Sequence, residues 1–137
     1  MDEELRNTLM QLETGKRQLD QLGKQGQMIE SAILELTSTV EALKSLESQK
    51  TGSEVLVPFG AGSYITASLK DTESVLVDIG AGYSVEKKLP DAIVTLEGRR
   101  KHLTQSLQQL NKTMGEMAVR MGELNTQAEA MMGQHSH

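Results

Sequence analysis

Apolar residues at both ends of this chain recur at alternating steps of three and four. That spacing commits a sequence to long helices packed along one seam. In the first segment the residues are Leu5, Leu9, Leu12, Leu19, Leu22, Ile29, Ile33, Leu36, Val40 and Leu43. Filling the two gaps with Lys16 and Gly26 gives a regular seam with one extra step of three, between Leu19 and Leu22. A step of that kind is a stammer, expected to overwind a coil locally. In the last segment the seam runs through Ile93, Leu96, Arg100, Leu103, Leu107, Leu110, Met114, Met117, Met121, Leu124, Ala128 and Met131 without a break. Both seams span 38 positions, about 57 Å at 1.5 Å per residue. Equal arms favour one antiparallel hairpin over a parallel dimer of whole chains. If Leu43 faces Ile93, partner numbers sum to 136, which sets Leu36 against Arg100, Ile29 against Leu107 and Leu5 against Met131. The first helix is expected to stop near Lys50-Thr51-Gly52, at a C-terminal glycine cap. Pro90 suits the first position of the second helix, where its missing N–H does no harm.

The middle of the chain repeats itself. Residues 55–65 read VLVPFGAGSYI and residues 75–85 read VLVDIGAGYSV, with six of eleven positions identical at an offset of 20. A short self-similar period marks a repeated supersecondary unit. Each copy has a β-branched strand, a Gly-Ala-Gly turn and a second strand, and so reads as a β-hairpin. Strands are expected near 54–58, 63–69, 74–79 and 82–88. Val55 and Val57 share one face, as do Val75 and Val77, while Leu56 and Leu76 point the other way. Tyr64, Ile65, Ile79, Tyr83 and Val85 add further apolar surface. Two hairpins alone cannot bury all of these residues, and lone hairpins are marginal in water. Open edges invite another chain. The segment is therefore read as an assembly element, and two copies would supply eight strands, enough to close a small barrel.

The expected fold is α+β: a long antiparallel coiled-coil hairpin with two β-hairpins inserted between its helices, the β-hairpins forming an oligomeric barrel. It divides the chain into helix 1–50, assembly segment 51–89, helix 90–133 and a disordered tail 134–137.

Composition narrows the function. Only Phe59, Tyr64 and Tyr83 are aromatic among 137 residues, too few for a compact aromatic core or a pocket that stacks bases or sugars. The net charge is −5, and no segment is a basic patch, which speaks against nucleic acid. No apolar run approaches a membrane span, and the start Met1-Asp2-Glu3-Glu4 is unlike a signal peptide, so the chain is expected in the cytoplasm. The absence of cysteine removes thiol nucleophiles, disulfides and thiolate metal sites. Gly60-Ala61-Gly62 and Gly80-Ala81-Gly82 lack the rest of a dinucleotide fingerprint and read as hairpin turns. Asn111-Lys112-Thr113 matches a glycosylation sequon but falls within a helix. His102, His135 and His137 form no metal-ligand set. No cofactor, no metal and no enzymatic activity are expected, for want of any catalytic constellation.

The methionines carry the functional hint. Met114, Met117, Met121, Met131 and Met132 crowd one stretch, and in the hairpin Met1 and Met10 join them. Methionine adapts to many shapes and recurs on promiscuous binding surfaces. Gly15, Gly23, Gly26, Gly115 and Gly122 occupy the same distal half, each costing a helix about 1 kcal/mol against alanine. This describes a firm base with frayed, methionine-rich tips. The residues expected to bind apolar clients are Leu5, Leu9, Met10, Leu12, Met117, Met121, Leu124, Met131 and Met132.

Two coiled-coil helices flanking two β-hairpins, with Val55-Leu56-Val57-Pro58 and Val75-Leu76-Val77-Asp78-Ile79-Gly80-Ala81-Gly82-Tyr83 at the hairpin cores, resemble the alpha class of the prefoldin family. The resemblance covers nearly the whole chain, two hairpins rather than one point to the alpha class, and the short tails and economical length lead us to expect an archaeal type. It implies a hexamer of two alpha and four prefoldin beta subunits, with the coils projecting around a cavity. It further implies an ATP-independent holdase that grips non-native polypeptides at the coil tips and passes them to a group II chaperonin. The competing reading is a coiled-coil spacer that oligomerises through its hairpins and binds no client.

Overall fold

A computed structural model describes residues 2–135. Its elements are α1 (Glu3–Leu46), β1 (Glu54–Gly60), β2 (Ser63–Ser68), β3 (Ser74–Gly80), β4 (Tyr83–Lys88) and α2 (Leu89–His135). The expected α+β arrangement of two long helices with two hairpins between them in sequence is present. Helix α2 continues through His135, and the rest of the expected tail, Ser136 and His137, lies outside the described residues, as does Met1. The chain divides into two compact units, Met1–Ala32 with His102–His137, and Ile33–Lys101.

The unit Ile33–Lys101 holds both hairpins. Strand β1 pairs antiparallel with β2, and β3 with β4, as two separate two-stranded sheets. Both turns are built alike. Ala61 and Gly62 have φ of 52° and 76°, and Ala81 and Gly82 have φ of 54° and 79°. Two successive positive φ values are the mark of the type I′ turn, whose twist matches that of the flanking strands. A bulge precedes each turn, between Pro58 and Gly60 and between Asp78 and Gly80.

Only the second hairpin contributes to the core of this unit. Val77 is buried with Val40, Leu89, Ala92, Ile93 and Leu96, and Val75, Leu36, Leu43 and Leu46 pack around them. Burial of each large aliphatic side chain contributes roughly 1.5–3 kcal/mol. Polar links fix the geometry: the Leu89 N–H donates to the Glu73 carbonyl at 2.8 Å, and Arg99 Nη2 donates to the Asp78 carbonyl at 2.9 Å. No residue separates β4 from α2, whereas residues 47–53 separate α1 from β1.

Helix α1 ends at Leu46, earlier than the expected stop at Lys50-Thr51-Gly52. Three hydrogen bonds of the tighter i to i−3 kind end it: Glu47 to Lys44, Ser48 to Ser45 and Gln49 to Leu46. Gly52, with φ of 93°, serves the sheet instead, for its N–H donates to the Leu69 carbonyl at 2.7 Å.

Near Arg100 the seam turns polar. Arg100 Nη1 reaches the Thr37 hydroxyl at 3.4 Å, and that hydroxyl donates to the Ile33 carbonyl at 2.9 Å. A polar group at a seam position fixes register at some expense of stability.

In the unit Met1–Ala32 with His102–His137, the seam of α2 falls where its spacing places it, and that of α1 does not. Asp2 caps α1, accepting the Glu4 N–H at 3.3 Å. Thr8 is buried and Lys16 is exposed, while Gly15 lies against Met121. The seam therefore runs Leu5, Thr8, Leu12, Gly15, Leu19, Leu22, Gly26 and Ile29, and the stammer inferred from Lys16 disappears. Gly15 meets Met121 and Gly26 meets Leu110, and both pairs sum to 136, the register expected.

Nor is this unit frayed. Leu5, Leu12 and Ala128 form a buried cluster with Leu9, Met121, Leu124 and Met131 packed on it. Gly15 and Gly26 act as holes rather than as weak points: a Cβ at Gly26 would lie 3.3 Å from Leu110 Cδ2. A Cβ at Gly115 or Gly122 would meet no other side chain within 4 Å, and both residues are exposed.

Candidate functional site: a methionine groove and an uncovered hairpin

Turns of α1 and α2 in the first unit enclose an open groove of about 590 Å³. From α1 come Asn7, Met10, Gln11, Thr14, Gly15 and Gln18, and from α2 come Met117, Arg120, Met121 and Leu124. The α1 set recurs at three- and four-residue spacing, which places its members on one helix face. Met10, Met117, Met121 and Leu124 supply the apolar surface, and Asn7, Gln11, Gln18 and Arg120 supply the polar one. Arg120 is the one charged residue of the lining, and no carboxylate joins it.

The floor of this groove depends on Gly15. A Cβ there would sit 3.0 Å from Met121 Sδ and 3.2 Å from its Cγ. With no Cβ in the way, the thioether lies against the backbone of α1.

Of the nine residues expected to bind clients, four line the groove: Met10, Met117, Met121 and Leu124. Met10 is 61% exposed, and Met132 is exposed outside the groove. Leu5 and Leu12 are sealed in the seam, with Leu9 and Met131 packed against them. The sequence reading missed Asn7, Gln11, Gln18 and Arg120, which apolar periodicity does not mark. It also missed Thr8 and Gly15, which an unbroken heptad count would have found. Among the described residues no cluster of histidine or carboxylate groups could hold a metal, and no buried polar side-chain atom lacks a partner. No helix among them is long and apolar enough to cross a membrane.

In the second unit the candidate surface is the first hairpin. Leu56, Phe59, Tyr64 and Ile65 are exposed, with Leu56 at 66%, and Val57 is at 36%. The second hairpin exposes Leu76, Ile79, Tyr83 and Val85. Val75 and Val77, expected among the assembly positions, are instead committed to the chain's own core. They differ from Val55 and Val57 because the face that carries them rests on Val40, Leu89, Ile93 and Leu96.

The Asp71 carboxylate anchors the link between the hairpins. The Ser74 hydroxyl at 2.6 Å and the Glu73 N–H at 2.8 Å donate to it, and they hold its pKa below the ordinary value of 3.8.

Comparison with known proteins gives these surfaces a context. The family described as Prefoldin subunit matches residues 15–134. Prefoldin subunit alpha of Methanosarcina barkeri is 31% identical over 95% of this chain and 92% of that protein. The same subunit of Methanococcus vannielii is 32% identical over 96% of this chain and 90% of that protein. Filamentous PFD from Methanocaldococcus jannaschii shares the fold, with a TM-score of 0.63 and 23% identity over 92% of this chain and 98% of that one. The prefoldin beta subunit from Thermococcus strain KS-1 superposes with a TM-score of 0.58 and 21% identity over 95% of this chain and 93% of that one.

Proposed function

The chain belongs to the prefoldin family, and we propose that it works as the alpha-class subunit of an ATP-independent holdase in the cytoplasm. The observation that carries this reading is the methionine groove in the unit Met1–Ala32 with His102–His137. Its surface is apolar and adaptable, and it is rimmed by amides. Amide side chains both donate and accept, which matches the unpaired N–H and C=O groups of an unfolded backbone. Such a groove grips an apolar segment weakly. Useful affinity comes from several arms acting on one client, since linked weak sites multiply in effect. Non-native polypeptides are the clients, and a group II chaperonin receives them.

Assembly follows from the hairpins. Two copies of this chain join through them into a barrel, and four prefoldin beta subunits complete the hexamer. The uncovered Leu56, Phe59 and Tyr64 support this reading, for large apolar side chains exposed on one hairpin suit an interaction site.

Trimming residues 1–12 and 125–137 is expected to abolish suppression of client aggregation while the native mass of the complex loses only the trimmed residues. A trimmed complex that still holds clients would remove the trimmed helix ends from the site. The closed core of Leu5, Leu12 and Ala128 favours a second reading, a rigid spacer. That reading predicts no affinity of the intact complex for unfolded chains, and the same assay decides it.

A further inference from the structure

We propose that Gly15 and Met121 form an adjustable floor that sets what size of apolar side chain the groove admits. The inference rests on the groove reading above and adds to it a residue that determines specificity. Helix glycines are usually read as flexibility, but the six interior ones between Gly15 and Gly122 are not equivalent. Gly15 alone belongs to the lining of the groove. A Cβ at Gly23 would touch only Met114 Cε at 3.8 Å, an ordinary contact, and at Gly98, Gly115 and Gly122 it would meet nothing within 4 Å. At Gly26 it would meet Leu110, a branched and stiffer side chain away from the groove lining. Only at Gly15 does the missing Cβ leave room for a flexible side chain that itself lines the groove.

The mechanism is rotameric. Methionine has three rotatable side-chain bonds and a polarisable sulfur, so it repacks at little expense. With Gly15 beneath it, the Met121 thioether lies flat on the α1 backbone and the groove is deep. It can also swing outward to fill the groove against a small side chain. The occupant is therefore an apolar segment of an unfolded chain, its large side chains seated over Gly15. The lone Arg120, with no carboxylate in the lining, turns the preference away from basic segments. An alanine at Gly15 would hold Met121 in the outward position and make the groove shallow.

Stability and binding should respond separately to alanine at these glycines. Gly15→Ala, Gly115→Ala and Gly122→Ala each replace a helix glycine by the best helix former. Each is expected to raise or hold the melting temperature, by roughly 3 °C where nothing opposes the new methyl. Binding is read on the assembled complex by fluorescence anisotropy. The probe is reduced, carboxymethylated lactalbumin, a chain that stays unfolded. Gly15→Ala is expected to weaken binding on the order of fivefold, the size of one lost methylene contact. Gly115→Ala and Gly122→Ala should leave it unchanged. Adding Met121→Ala to Gly15→Ala should restore much of the loss by emptying the floor again.

Equal weakening by all three alanines would overturn the inference, because coil flexibility rather than groove depth would then be the cause. Unchanged binding by Gly15→Ala would overturn it as well. The paired variant Met10→Ser with Met117→Ser keeps that failure distinct from failure of the groove itself. If the serine pair loses binding while Gly15→Ala does not, the groove stands and the floor falls. If neither loses binding, both fall.

Discussion

The two hairpins share six of eleven positions in their repeated stretch, yet only the second has a face buried against the helices. Val57 is 36% exposed and Val77 is 6% exposed, although each is the third residue of an identical Val-Leu-Val run. Their ladders match as well, Val57 facing Ile65 and Val77 facing Val85. Chemistry within the hairpin therefore does not decide burial. Chain connection does: β4 runs directly into α2, which keeps β3 against Leu89, Ile93 and Leu96, while β1 follows a seven-residue connection. One face of a repeated motif can thus be core in one copy and open to solvent in the other.

The largest break in this comparison comes from a charge at the paired positions. Val77→Asp is expected to destabilise the isolated chain by roughly 3 kcal/mol or more, since it buries a carboxylate among apolar groups. Val57→Asp should stay within about 0.5 kcal/mol, as exposed substitutions do. Urea unfolding of each variant measures the difference. Native mass spectrometry of Val57→Asp with its partner subunits should still show loss of the complex. Equal stability losses in the two variants would show that both hairpins are docked.

A smaller effect should follow at Arg99. Its hydrogen bond to the Asp78 carbonyl ties the second hairpin to α2. Arg99→Ala should remove about 1 kcal/mol of stability and speed amide exchange in β3 and β4, leaving β1 and β2 unaffected. Hydrogen exchange followed by mass spectrometry resolves the two hairpins separately.

The turns are expected to respond alike. Ala61 and Ala81 both hold a positive φ that strains a residue with a Cβ. Ala61→Gly and Ala81→Gly should each relieve up to about 1 kcal/mol, less the entropy that glycine brings to the unfolded chain. In a melt of the isolated chain only Ala81→Gly should move the global midpoint, because the second hairpin alone joins the core.

The least effect is that of pH on the link between the hairpins. The folded pKa of Asp71 lies below its ordinary 3.8. The stabilisation is therefore complete above that value and is lost as pH falls through the folded pKa. Amide shifts of Glu73 and Ser74 followed by NMR should titrate below pH 3.8, and Asp71→Asn should abolish that transition.

Much of this was legible in the residues. Every seam position of α2 from Ile93 to Met131 is buried or half-buried where its spacing places it. The seam of α1 was misread at Thr8 and Gly15, because hydropathy hides a small or hydroxylated residue that the helical period requires. The expected end of α1 overruns Leu46 because Gly52 resembles a cap, whereas its N–H is used by the sheet. The groove was half legible: its methionines stood out and its amide rim did not. Which hairpin is covered was not legible at all, since identical Val-Leu-Val runs carry no label. That information lies in the lengths of the connections.

The junction at Lys88–Leu89 has a consequence for how the chain can change length. A strand repeats every two residues and a helix every 3.6, so two elements with no residue between them are locked in phase, like meshed gears. Inserting one residue there would turn every later position of α2 by about 100° and advance it by about 1.5 Å. Leu89, Ile93 and Leu96 would leave the core of this unit together. The stretches 47–53 and 69–73 carry no such phase. A change of one residue at the junction would therefore cost this unit its core, which a change within 47–51 would not.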